Sequence, residues 1–446
     1  MMKRLSAILT AAAMCVAAIF ALGAAPAAAQ AVRGPLPPAQ MVPIPQRAAV
    51  DPVMECADLK KLDLLTLKGA PTRINSAEVE TKDGVQFCEV KGVIAPQIQF
   101  EFHLPIKGYT GRYLQGGCGG ACGAIYKTVT PACDNQRAFG GEFAVSFNNS
   151  GHVGPELNDT LWAAFAPQLR IDFAYRADHV MAMVGKEILA KYYGKKPDYS
   201  YFMGCSNGGR EAMMEAQRYP EDFDGIVAGA PPLWISAGVS RIIHESKIAQ
   251  DDKGNPILTP ESTALLHNAV LAACDGLDGL KDGQIDNPRL CHYDPGKLVC
   301  KPGKTKDCIT AQQADVMRQL YRGAVDDQGR QLFFGGEPYG SELIWTGPGS
   351  FLTMGHMLAA NQIKFMIYGG ETHQDFDWRT WKPGKDDVAD LMKEGGYYNA
   401  NNPDLSAFKA KGGKVIMWQG EADNAGGSYI LPDYYQPVRD KMGGFA

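Results

Sequence analysis

From about Val85 onward, apolar and polar positions along the chain fall into two alternating rhythms. Short apolar runs at 98–104, 111–115, 143–146, 199–203 and 225–227 read as strands. Between them, 178–193 and 210–218 carry the three- and four-residue spacing of helices with one buried face. Strands alternating with helices predict a mostly parallel sheet covered on both sides. The regularity stops near Pro231-Pro232, and a long stretch of Cys-rich turns, charged loops and scattered aromatics runs to about Asp404. A strand-like run at 414–418 then resumes it. The expectation is one α/β domain interrupted by an insertion placed to cover its active face.

Composition narrows the class. The 446 residues suffice for about three ordinary domains, or one large unit with an insertion. Hydrophobic residues at 45% and charged residues at 21% exclude a disordered or fibrous chain. With 44 Lys plus Arg against 49 Asp plus Glu there is no positive field, and no nucleic-acid partner is expected.

Lys3, Arg4, the apolar run 5–22 and the small residues ending at Ala27-Ala28-Ala29 read as a cleavable export signal over 1–29. Residues 30–50, rich in Pro and Ala, read as a disordered linker. No later run is long and apolar enough to span a bilayer, so the mature form is expected without a membrane anchor, secreted or periplasmic. Export implies oxidised cysteines. Of the 11 Cys, Cys15 lies in the signal. Cys56 with Cys88, Cys274 with Cys291, and Cys300 with Cys308 are the expected pairs, while Cys118, Cys122, Cys133 and Cys205 stay unassigned.

The chemistry centres on Gly204-Cys205-Ser206-Asn207-Gly208, which fits G-x-S-x-G between a strand and a helix, the context this motif needs. Small residues around Ser206 permit a strained turn that lifts its hydroxyl above the sheet edge. The Asn207 N–H then faces the same point from a helix N-terminus, ready to hold an oxyanion. Gly116-Gly117-Cys118-Gly119-Gly120 follows the strand ending at Gln115, where serine hydrolases place the loop with the second oxyanion donor. Asp423 stands just past the run 414–420, the place of a triad acid in the order Ser, Asp, His. An Asp after a strand is otherwise an ordinary turn residue.

From about Cys56 onward the sequence resembles the tannase and feruloyl esterase family, which includes enzymes hydrolysing mono(2-hydroxyethyl) terephthalate. The resemblance is strongest in Gly204–Arg210, continues through Ala216-Gln217-Arg218-Tyr219-Pro220 and Phe223-Asp224-Gly225-Ile226, and returns at Asn402-Pro403-Asp404-Leu405-Ser406-Ala407-Phe408. It implies an α/β-hydrolase core with a large inserted lid, Ser206 as nucleophile, Asp423 as triad acid, and Asn207 with Gly119 or Gly120 as oxyanion donors. The family also bonds the Cys beside its nucleophile, here Cys205, to a Cys beside the catalytic His. None of the eight His (103, 152, 179, 244, 267, 292, 356 and 373) follows Asp423. That points to a chain truncated before the base, or to a naturally shortened, inactive one. His152 and His179 lie in core-like segments and read as structural.

Asp275, Asp278, Asp282 and Asp286 crowd a Gly-rich loop, where carboxylates repel unless a hard cation joins them. A solvated acidic turn is the plain alternative. The resemblance implies structural Ca²⁺ held by the Asp275, Asp278 and Asp282 side chains with the Leu280 and Gln284 carbonyls. With the family architecture, the chain divides into signal 1–29, linker 30–50, core 51–232, lid with calcium loop 233–405 and core 406–446.

The resulting expectation is an exported serine carboxylesterase acting through an acyl-enzyme on small aromatic esters of feruloyl, galloyl or terephthaloyl type. Phe376, Trp378 and Trp418 are candidate acyl contacts, and Ca²⁺ is the one cofactor. An inactive binding protein of the same fold and a serine peptidase are the alternatives.

Overall fold

Apolar runs of five to eight residues without interior Pro favour buried strands, and the computed structural model assembles them into one sheet. The structure describes residues 47–127, 140–154, 159–347, 350–424, 427 and 429–444. The signal, residues 30–46, Cys15 and Cys133 lie outside them. Among the described residues the strands are β1 (Thr72–Lys82), β2 (Val85–Ile94), β3 (Ile98–Pro105), β4 (Arg112–Gly116), β5 (Phe143–Asn148), β6 (Tyr199–Cys205), β7 (Gly225–Gly229) and β8 (Lys414–Trp418). Their order is β1-β2-β3-β5-β4-β6-β7-β8. From β5 to β8 every pairing is parallel, while β1, β2, β3 and β5 pair antiparallel. The fold is an α/β-hydrolase-like sheet with helices.

Helices follow in the order α1 (Pro167–Ile171), α2 (Ala177–Tyr192), α3 (Asn207–Arg218), α4 (Ile235–Ile248), α5 (Pro260–Cys274), α6 (Ala311–Arg322), α7 (Phe351–Asn361), α8 (Lys385–Glu394), α9 (Ser406–Ala410) and α10 (Ile430–Lys441). The face of α2 with Val180, Met181, Val184 and Ile188 packs into the core beneath the sheet with Phe100, Phe102 and Tyr113. Everything from α4 to α9 lies between β7 and β8 in sequence, and the described part of this insert adds no strand to the sheet. It has apolar clusters of its own, one around Leu266, Val270, Met317 and Trp345, another around Val239, Ile243, Ile363 and Trp378. Capping boxes at Thr259/Ser262 and Thr310/Gln313 start α5 and α6 by satisfying their first amides.

Among the described residues four disulfides are present: Cys56–Cys88, Cys274–Cys291, Cys300–Cys308 and the unassigned pair Cys118–Cys122. Residues 47–50 correct the expectation of a disordered linker to position 50. The Val50 N–H donates to the Tyr109 carbonyl at 2.7 Å, and Arg47 donates to the Thr110 carbonyl at 3.1 Å and pairs with Asp198.

Candidate active site

Ser206 stands between the end of β6 and the start of α3 with φ 59° and ψ −123°. A β-carbon normally avoids this region, and such strain collects at functional sites. The turn is held from three sides. The Ser206 N–H donates to the Gly229 carbonyl at 2.9 Å, and the Ser206 carbonyl accepts from Gly209 at 2.9 Å and Arg210 at 3.1 Å. Glycine is required where the turn closes on itself: a Cβ on Gly204 would lie 2.4 Å from the Gly208 carbonyl. Ser206 itself remains half-buried and reachable.

The glycine loop after β4 packs directly on this turn. A Cβ on Gly208 would meet the Cys118 carbonyl at 3.0 Å, and one on Gly117 would meet the Gly208 Cα at 2.8 Å. Beside Gly119, by contrast, a Cβ would meet nothing within 4 Å. Among the described residues no acceptor is paired with the amides of Gly119, Gly120 or Asn207. The Gly117-Cys118 segment thus packs on the turn that carries Ser206 and Asn207, and Gly119 and Gly120 follow it in the chain.

Asp423 lies past β8, two strands from β6 on the same carboxyl-terminal edge of the sheet. That edge is laced by backbone bonds, with the Ala230 N–H donating to the Trp418 carbonyl at 2.7 Å next to the Ser206–Gly229 bond. Asp423 also acts electrostatically on the buried Arg241 of α4 and on Glu337. Arg241 donates to Glu245 at 2.8 Å, to Glu337 at 3.1 Å and to the Asn424 carbonyl. Desolvation holds the Glu337 carboxyl well above the usual carboxylate range.

Neither core histidine is positioned as a base. His152 is buried, stacks on Trp162 with centroids 3.7 Å apart, and places Nε2 2.8 Å from the Ala121 carbonyl. Burial pushes its pKa down to about 4, so it is neutral. His179 meets Asp222 at 2.5 Å and stacks on Tyr219, the residue that ends α3, roughly 18 Å of helix from Ser206. Trp378 and Phe376 belong to an apolar cluster of the insert, with Trp378 stacked on His356. Trp418 instead ends β8, half-buried, its ring against Gly229.

In the acidic loop, Asp275 Oδ1 accepts from the N–H groups of Asp282 and Gly283 at 3.1 Å, while Asp278 accepts from Leu280 at 2.8 Å and Asp286 at 3.4 Å. Leu280 and Gln284 are exposed, and the Cys274–Cys291 bridge closes the segment.

Sequence reasoning missed the buried polar residues behind Ser206. The Arg210 guanidinium, fully buried, donates to the Ala174, Phe173 and Tyr398 carbonyls at 2.7, 2.9 and 3.3 Å, and through Nε to Asn207 Oδ1 at 2.7 Å. Glu211 bonds both Asn207 and Cys118. No pattern flags Arg-Glu in a helix, because the pair normally marks a solvated face.

Comparison with known proteins bears on the family and the fold. The family model for tannase and feruloyl esterase matches residues 82–445. A probable feruloyl esterase B-2 of Neosartorya fischeri is 32% identical over 84% of this chain and 68% of its own length, and a probable feruloyl esterase B-1 of Aspergillus terreus is 33% identical over 79% and 65%. Among solved structures, an esterase from Aspergillus oryzae superposes with a TM-score of 0.76 at 27% identity, covering 87% of this chain and 78% of its own. Feruloyl esterase B from Aspergillus oryzae gives 0.74 at 25% identity, covering 88% and 80%. With a family match spanning most of its length, the chain belongs to the tannase and feruloyl esterase family.

Proposed function

We propose that the chain is an exported serine carboxylesterase that cleaves esters of aromatic carboxylic acids through an acyl-enzyme. The observation that carries this reading is Ser206 held at φ 59° on the sheet edge, with the loop of Gly119 and Gly120 packed against its turn. Family membership supports the ester-hydrolase class, and relatives named feruloyl esterase support an aromatic acyl group. Four disulfides fit an oxidising compartment, and no described helix is long and apolar enough to cross a membrane.

In the mechanism, Ser206 Oγ attacks the ester carbonyl carbon. The carbonyl oxygen becomes an oxyanion and takes hydrogen bonds from the Asn207 amide and from that of Gly119 or Gly120. Collapse expels the alcohol and leaves an acyl-Ser206, which water then cleaves. Asp423 is the carboxylate that orients the imidazole receiving the Ser206 proton. In the order Ser, Asp, His that imidazole follows the acid, and the sequence has no His there. A second reading is a chain of the same fold that binds aromatic esters with little turnover; a triad base is worth on the order of 10³- to 10⁶-fold in rate. Ca²⁺ joins the proposal as a structural ion of the loop 275–286. Hard carboxylate and carbonyl oxygens are the donor type Ca²⁺ takes, but among the described residues the Asp275, Asp278 and Asp282 carboxylates do not converge on one point, so the ion would have to draw them together.

The deciding experiment is hydrolysis of methyl ferulate by the purified chain with and without added imidazole. Slow turnover that rises with imidazole and vanishes in Ser206→Ala is the expected result. Turnover that survives Ser206→Ala would remove the nucleophile assignment. Binding without imidazole-dependent turnover would favour the second reading.

A further inference from the structure

Glu211 lies one helical turn past Ser206 on α3, fully buried, and no chemical step of hydrolysis uses it. Its two oxygens divide between the two halves of the oxyanion machinery. Oε2 accepts the Cys118 N–H at 3.0 Å, and Oε1 accepts from Asn207 Nδ2 at 2.9 Å. Oε1 also lies 3.1 Å from the Ser150 hydroxyl, and 3.0 and 3.5 Å from the sulfurs of the Cys118–Cys122 bridge. The Asn207 amide cannot turn away, because Arg210 Nε donates to its Oδ1 at 2.7 Å and leaves the NH₂ facing Glu211. Packing gives the same picture: a Cβ on Gly117 would sit 2.8 Å from Glu211 Oε2. One carboxyl therefore grips Asn207, which carries one oxyanion donor, and Cys118, next in the chain to Gly119 and Gly120.

We propose that Glu211 is a positioning residue of the oxyanion site, a bridge that sets the spacing between the Asn207 amide and those of Gly119 and Gly120. Its effect on rate rests on the esterase reading; its effect on the loop rests on geometry alone. Burial, with the nearby Asp178 charge, pushes its carboxyl well above the usual range. Leu of similar volume would avoid that desolvation, but would leave the Cys118 N–H without its carboxyl acceptor and the Asn207 NH₂ with only the weakly accepting sulfurs of the Cys118–Cys122 bridge, at 3.6 and 3.1 Å.

The test compares the full chain as wild type, Glu211→Gln and Glu211→Leu by amide hydrogen exchange and by imidazole-supported turnover of p-nitrophenyl acetate, with the folded fraction fixed by melting curves. In Glu211→Leu, exchange over residues 118–122 should quicken on the order of tenfold or more while β6 keeps its protection. Its kcat should drop on the order of 10²-fold with KM changed by less than about twofold. Glu211→Gln keeps an oxygen acceptor for Cys118 and loses the one for Asn207, which retains only its sulfur contacts. It should hold the loop and lose only about tenfold in kcat, a partial rescue that general damage to folding would not give. If Glu211→Leu does not fold, Glu211→Gln decides: kcat within about twofold of wild type overturns the proposal. Unchanged exchange at 118–122 in a folded Glu211→Leu also overturns it. A wild type that does not turn over would sink the esterase reading, and loop exchange would then decide the bridge by itself.

Discussion

Gly209→Ala probes the seam between the Ser206 turn and the neighbouring strand. Gly209 sits in α3, where Ala is intrinsically favoured by roughly 1 kcal/mol. The opposing term is steric. A Cβ at this position would stand 2.2 Å from the Gly229 carbonyl oxygen and 3.2 Å from the Pro231 Cα. Roughly 1 Å must open between α3 and the end of β7, an overpacking strain of about 1–3 kcal/mol. The displaced atom is the acceptor of the Ser206 N–H, so a buried hydrogen bond worth about 1 kcal/mol is strained too. Set against helix propensity, the net loss is about 1–3 kcal/mol, which lowers Tm by only about 1–3 °C for a chain of this length. Turnover should suffer far more, on the order of 10²-fold, because Ser206, the proposed nucleophile, moves with the turn. Gly238→Ala is the control: it lies in α4 with only ordinary contact to Phe333 at 3.8 Å, and should stabilise. Calorimetry and ester turnover read both variants. Gly209→Ala with wild-type turnover, or a gain in Tm equal to that of Gly238→Ala, would refute the argument.

Other expectations come from buried charge and from the acidic loop. Glu215 is buried with both carboxyl oxygens unpartnered, and burial holds it protonated. Glu215→Met should raise Tm, and because a carboxyl raised in the fold loses stability as pH climbs past its unfolded value, the gain should grow toward neutral pH. His152 titrates in the opposite sense. Its pKa of about 4 against an ordinary 6.5 means stability of about 3 kcal/mol is lost as pH falls through that interval, and urea titrations of His152→Gln should show a flatter profile there. Chelator should lower Tm through the loop 275–286 and Asp275→Asn should abolish the difference; equal melting with and without excess Ca²⁺ would count against the ion.

Most of the sheet was legible because its strands are short, largely apolar runs bounded by turns; the runs read from sequence recur within a few residues as β3 to β8. β1 was not. Only its first residues alternate in burial, and the remainder, ending Glu78-Val79-Glu80-Thr81-Lys82, faces solvent at the sheet edge, so no period-2 signal survives. Ser206 was visible because its constraint is local, written in adjacent glycines. The bridge through Glu211 joins residues 93 positions apart, and nothing near either end marks it. The Cys118–Cys122 pair stayed unassigned because a Cys-x₃-Cys spacing is equally compatible with other partners.

Arg241 joins α4 to the turn past β8 through the Asn424 carbonyl, and its loss should show whether the insert and the carboxyl-terminal edge of the sheet are mechanically joined. Strands in a sheet lie about 4.8 Å apart, so the end of β8 stands roughly 10 Å from that of β6. An imidazole joining Ser206 to Asp423, as proposed above, would have to sit along that edge. The gap is fixed by backbone pairing, but Asp423 lies five residues beyond β8, and the adjoining residue Asn424 is held through its carbonyl by Arg241. Arg241→Met leaves Glu245 and Glu337 buried without their cation, a loss of about 3–5 kcal/mol softened by their protonation. Because one guanidinium holds both partners, exchange should quicken together in α4 and over residues 419–424, while β6 and β7 keep their protection. Faster exchange in α4 alone, with 419–424 unchanged, would mean that the Asp423 turn is built by the sheet and owes nothing to the insert.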